Sequence, residues 1–172
     1  MLRAIALVSS IAMMPVTASA DTFGTISASI DGDTRTWFVT EQSGESQSSW
    51  ARIMPGSLTG SNFTLWGNPD KTQLAATKGA LILGAVLMPG AGGFTAIPDV
   101  QYLENGFSAY WASVEDDPAE MNLAEVEEQG ESLRVSGDFS ARLYFRSGAG
   151  QTPDRSRMIT VSGTFKAAIP AE

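Results

Sequence analysis

The chain contains no histidine and no cysteine. The first absence removes Ser-His-Asp and Cys-His catalysis, His-ligated zinc and imidazole acid–base chemistry together. The second removes disulfides, thiolate nucleophiles and Cys-ligated metal, and also the N-terminal Cys that anchors bacterial lipoproteins. Stability must then come from the core alone. A single domain of this length can supply that, burying about 68–70% of its unfolded surface.

Positive charge is also scarce, with 11 Lys and Arg against 19 Asp and Glu for a net charge of −8. Nucleic acid and anionic lipid are poor partners for such a chain, and its acidity is explained by solubility. Long apolar runs are missing too. The most apolar stretch of the body, residues 80–88, falls well short of the ~20 residues that a membrane-spanning helix needs. It reads as a central strand buried on both faces, with Gly84 packed close to a neighbour.

At the N-terminus, Arg3 precedes an apolar run broken by Ser9 and Ser10 and followed by Ala18-Ser19-Ala20. A charged start, a short apolar segment and small residues at a cleavage position describe a signal peptide over residues 1–20. Residues 21–172 are then expected as one domain, periplasmic or secreted. Loss of Arg3 makes the mature chain one unit more negative.

The clearest structural signal lies at the other end. Leu133, Val135, Gly137, Phe139, Ala141, Leu143 and Phe145 alternate with Arg134, Ser136, Asp138, Ser140, Arg142 and Tyr144, the period of a half-buried strand. The pattern returns at Ile159, Val161, Gly163, Phe165, Ala167 and Ile169. Paired as an antiparallel hairpin with an index sum of 302, each Phe would cover the other strand's Gly. A sum of 304 would instead set Phe139 against Phe165. The first register is preferred because glycine in a strand leaves a gap that an aromatic ring fills.

Elsewhere, Asp31-Gly32-Asp33 reads as a hairpin turn between two alternating runs, and residues 42–49 as an exposed loop. Short strands are expected around residues 50–54, Leu58 and residues 63–66, then over residues 99–103 and 108–114. Residues 115–130 allow two readings. Pro118 and the acids before it suit a helix start, whereas residues 122–127 followed by Gly130 suit a strand turning into Leu133. The strand is preferred, since a sheet neighbour decides more than propensity. The sum is an all-β chain, a single antiparallel β-sandwich of about 8–10 short strands with the C-terminal hairpin in its core and at most one short helix.

Paired carboxylates remain available for chemistry, and a glycoside hydrolase can be built from two of them. The acids gather at Asp31 and Asp33, at Glu115, Asp116, Asp117 and Glu120, and at Glu125, Glu127 and Glu128, in or beside turns. Solvated turns account for them. Calcium is the other use of such loops, but Asp31-Gly32-Asp33 lacks the further ligands of an EF-hand loop, so neither a metal nor a cofactor is expected. Trp50 and Trp66 are the candidate ligand-stacking residues, expected to be more exposed than Trp37, which is in phase with Val39 and belongs to the core. One of Tyr110 and Trp111 must point outward.

The run Ile26-Ser27-Ala28-Ser29-Ile30-Asp31-Gly32 with Trp37 soon after, and Val161-Ser162-Gly163-Thr164-Phe165 near the end, resembles small secreted or lipid-anchored bacterial β-sandwich domains of unknown function. These begin with an A-x-I-D-G hairpin and finish on a G-T-F strand. The resemblance implies a fold and an exported location, and no functional residues. The expected role is an exported, non-catalytic protein that binds or assembles with an extracytoplasmic protein or glycan. A carbohydrate-binding module is the alternative, and a carboxylate-based glycoside hydrolase the second.

Overall fold

A computed structural model describes residues 20–53, 60–90 and 93–170. The expected leader at residues 1–20 lies outside them except for Ala20, and so does Leu58. The described chain is almost entirely strand: β1 (Asp21–Ile30), β2 (Asp33–Gln42), β3 (Glu45–Ser46), β4 (Ser49–Arg52), β5 (Ser61–Asn68), β6 (Ala80–Gly90), β7 (Gly93–Phe107), β8 (Tyr110–Ala112), β9 (Glu120–Gln129), β10 (Ser132–Arg146) and β11 (Asp154–Pro170). No helix occurs among the described residues, and hence none that could cross a membrane.

All eleven strands belong to one antiparallel sheet in the order β3-β2-β1-β11-β10-β8-β7-β6-β5-β4, with β9 also paired to β10. A second contact, Phe38 with Asn68 and Val39 with Gly67, joins β2 to β5. The sheet therefore closes on itself, with β2, β1, β11, β10, β8, β7, β6 and β5 in one hydrogen-bonded ring. Phe63 of β5 meets Phe165 of β11 across the interior, ring centroids 6.2 Å apart. The all-β antiparallel architecture is as expected, but its two layers are halves of one sheet.

The C-terminal hairpin lies at the centre of one layer, with β1 beside β11 and β9 beside β10. Its register is the 302 pairing: Gly137 faces Phe165, and Phe139 faces Gly163. Leu133, Val135, Phe139, Leu143, Val161, Phe165, Ala167 and Ile169 are all buried. A Cβ at Gly137 would stand 3.1 Å from the Phe165 ring, as the covering argument requires, but only 2.1 Å from the Asn122 carbonyl oxygen on β9. Gly163 is likewise constrained by the strand on its far side, because a Cβ there would stand 2.2 Å from the Ser27 carbonyl oxygen on β1. No reading of the hairpin by itself shows that neighbour.

Asp31 and Gly32 form a two-residue turn with φ of 48° and 96°, the left-handed pair that a tight hairpin requires. Residues 115–130 resolve as the strand, since β9 pairs with β10 from Glu120 opposite Ser140 to Gln129 opposite Ser132. Two expectations are corrected. Residues 42–49 are not simply an exposed loop: they turn at Ser43-Gly44 into β3 and bury Ser48, whose hydroxyl accepts the Trp66 N–H at 2.7 Å. Gly84 makes no close approach, its nearest prospective contact being an ordinary 3.8 Å.

Tyr110 and Trp111 point to opposite faces, yet both are buried. Trp111 joins the main core, while Tyr110 joins a second, smaller cluster of Ala80, Ile82, Leu103 and Ala112 on the outer side. Trp66 and Ala76 complete that cluster. The segment between β5 and β6 is tied over it by side chains: Trp66 Nε1 donates to the Ala76 carbonyl at 3.0 Å, and Trp37 Nε1 to that of Gly79 at 2.7 Å. Asn68, fully buried, donates to Thr40 Oγ1 at 2.9 Å and to the Leu74 carbonyl at 3.1 Å, and accepts the Ala76 N–H at 2.8 Å. Every polar atom of that amide has a partner, as burial demands.

Candidate functional site

Strand alternation sends Ser140, Arg142 and Tyr144 of β10 to the outer face, opposite Ser162, Thr160 and Met158 of β11. Past that point the register breaks, with Tyr144 opposite Met158 and Phe145 already opposite Asp154. The extra residues on β11 form a bulge that re-aims side chains. It carries the Arg155 guanidinium over the Tyr144 ring, 4.5 Å from the centroid, and the Arg157 guanidinium over Phe145 at 3.4 Å. Such stacking holds a long cation in place.

The approach to β9 brings acids to the same place. Asp117 bridges back to Val114, and its carboxylate accepts hydrogen bonds from the Tyr144 hydroxyl at 2.6 Å and from Arg142, while Asp116 pairs with Arg155. The hydrogen bond from Tyr144, reinforced by Arg142, holds the Asp117 carboxyl below the usual carboxylate range. Arg155 does the same for Asp116. In return, Asp117 pushes the Tyr144 hydroxyl upward. Both acids are thus ionised and engaged.

Beside Asp117 is an open hollow of about 270 Å³, lined among others by Glu120, Ser140, Arg142, Thr160 and Ser162. The Thr160 hydroxyl and backbone N–H both donate to the Asp31 carboxylate, at 3.1 and 2.8 Å. That carboxylate fastens the β1–β2 turn to β11. Glu120, Ser140 and Ser162 make no side-chain hydrogen bond among the described residues, so the hollow offers one unengaged carboxyl group, two hydroxyls and the exposed side of Arg142. It can bind a polar group.

Trp50 and Trp66 do not share a site. Trp50 opposes Phe63 on the inner face and is 5% exposed, which corrects the expectation that it would be one of the more exposed rings. Trp66 points the other way and is half-buried in the outer cluster, 6.2 Å from the exposed Phe107. Consecutive strands of a sheet offer both faces, and the short β4 turned its Trp inward. The Asp117–Tyr144–Arg155 network went unseen for a different reason. Alternation exposes Arg142 and Tyr144, but only the bulge and the turn before β9 bring Arg155 and the two acids to them. The chain matches no protein-family model, no curated protein and no solved structure.

Proposed function

We propose that the mature chain acts outside the cytoplasm as a non-catalytic binding protein, with the outer face around Asp117 as its contact surface. One observation carries the reading: Asp117, at the edge of the hollow, accepts hydrogen bonds from Tyr144 and Arg142, contacts that favour its ionised form. Glycoside hydrolysis needs one carboxyl kept protonated near neutral pH to donate to the leaving group, and a raised pKa is what supplies it. Here the neighbours push the other way. The leader pattern at residues 1–20 supports the exported location.

Purified protein incubated with polysaccharides should release no reducing sugar, and protein recovered from the exporting cell should begin at Asp21 by mass spectrometry. Sugar release abolished by Asp117→Asn or Glu120→Gln would replace this reading with the hydrolase. An intact N-terminus at Met1 on the working protein would remove the exported location.

A further inference from the structure

The outer face of the layer that holds the C-terminal hairpin carries an ordered array of hydroxyls. Following the pairings across four strands, one row runs Ser140, Ser162, Ser29, Thr34, with Glu120 beyond it on β9. The adjacent row on the same face runs Asp138, Thr164, Ser27, Thr36, with Asn122 beyond. Six of these seven hydroxyl residues are exposed, and Ser29 is half-buried. Among the described residues none of the seven hydroxyls is used in a hydrogen bond. Sheet geometry fixes their spacing, about 4.8 Å from strand to strand and about 7 Å along each strand.

From this array we infer that the face across β2, β1, β11 and β10 binds an extended, neutral polysaccharide; the inference rests on the non-catalytic binding reading and names its ligand. A hydroxyl both donates and accepts, so a grid of them complements a ligand whose own groups do the same at a regular pitch. A sugar chain is such a ligand. Its repeat would meet one strand after another, while Asn122 and Asp138, joined at 2.9 Å, and Arg142 add directional groups at one border.

Other partners fit less well. A protein interface wants an apolar or aromatic centre, and these two rows contain none. Nucleic acid and acidic glycans meet a chain of net charge −8 with few cations on this face. An ordered water lattice is poorly matched by a surface that mixes Asp138, Lys166, Glu120 and Arg142 with the hydroxyls.

The test uses the full mature protein in pull-down with microcrystalline cellulose, chitin, insoluble xylan and starch granules, with an alginate gel as the acidic control. Depletion by at least one neutral polysaccharide is expected. The quadruple variant Ser29→Ala, Thr34→Ala, Ser140→Ala, Ser162→Ala should bind at least about tenfold more weakly, since four modest hydrogen bonds easily sum to that factor. Its urea melt should be unchanged. Asn62→Ala with Thr64→Ala, on the outer face of the opposite layer, should leave binding intact.

Binding that survives the quadruple variant, or that is lost equally in the opposite-face variant, overturns the assignment of the face and leaves the binding-protein reading standing. Binding to alginate alone, or thermal hysteresis in freezing solutions, overturns the ligand class. Failure to bind any neutral polysaccharide overturns the inference outright. The reading beneath it falls to different results, namely catalytic turnover or an intact N-terminus at Met1.

Discussion

In β6, four consecutive side chains from Ala80 to Leu83 are buried, whereas β10 buries Leu133, Val135, Phe139 and Leu143 and exposes Arg134, Asp138, Ser140 and Arg142. Both strands lie inside the same sheet and both face the same main core. What differs is the outer side. Over β6 the segment between β5 and β6 is tied down by Asn68, Trp37 and Trp66, so alternate residues find a second apolar environment. Over β10 no described segment is tied down, and polarity at every second residue is the consequence. A continuous apolar run therefore reports a covered outer face, and a strictly alternating one reports a bare face free to meet a ligand.

The largest expected effect comes from the bare side's core residues. Phe165→Ala should cost about 3–5 kcal/mol, as large aromatic deletions in cores do, against a total stability of roughly 5–15 kcal/mol. Urea melts measure it. A loss below about 1 kcal/mol would mean that the alternating strand does not carry the core, and the contrast with β6 would collapse.

Next in size is the covered side's fastening. Asn68→Ala leaves the Ala76 N–H and the Leu74 carbonyl without their partners, and each stranded group costs about 1–3 kcal/mol. The same variant should speed amide exchange over residues 73–79 before the main core opens. Exchange there at the wild-type rate would show that the segment is held by something other than Asn68.

The acid network gives a smaller, pH-dependent effect. Asp117 titrates below its ordinary value of 3.8 because Tyr144 and Arg142 favour its ionised form. A depressed folded pKa contributes stability that is complete above the unfolded value and is lost as pH falls through the folded value. Asp117→Asn should therefore shallow the acid limb below about pH 4 and leave the pH dependence from about 6 to 8 as it was. A variant whose acid limb is as steep as wild type would show that this network adds nothing. Smallest of all is Lys166→Ala, exposed on the outer face of the strand that buries Phe165, which should stay within about 0.5 kcal/mol of wild type.

Much of this is legible in the sequence alone. The period-two patterns of β10 and β11, the Phe–Gly exchange that sets their register, and the Asp31-Gly32 turn all depend on local spacing, which a sequence records directly. The clustering of Asp117 with Tyr144 and Arg155 depends on a bulge and on strands far apart in the chain. Trp50 illustrates the same limit. Its four-residue strand is too short for its phase to be read, and its inward face is set by Phe63 on β5. The hydroxyl grid lies between these cases: each strand's Ser and Thr positions are visible in order, but the strand order β2-β1-β11-β10 that aligns them into rows is not.

The contrast between a bare and a covered outer face can be measured directly because the chain has no cysteine of its own. Single substitutions Ser140→Cys and Ser162→Cys on the bare face, Ile82→Cys under the covered one and Ala167→Cys in the main core each report one environment through maleimide labelling of the native protein. The expected result is labelling at the rate of a free thiol for the first two and strong protection for the last two until the protein unfolds. Labelling of Ile82→Cys as fast as Ser162→Cys would contradict the covered face, and protection of Ser140→Cys and Ser162→Cys would contradict the bare one.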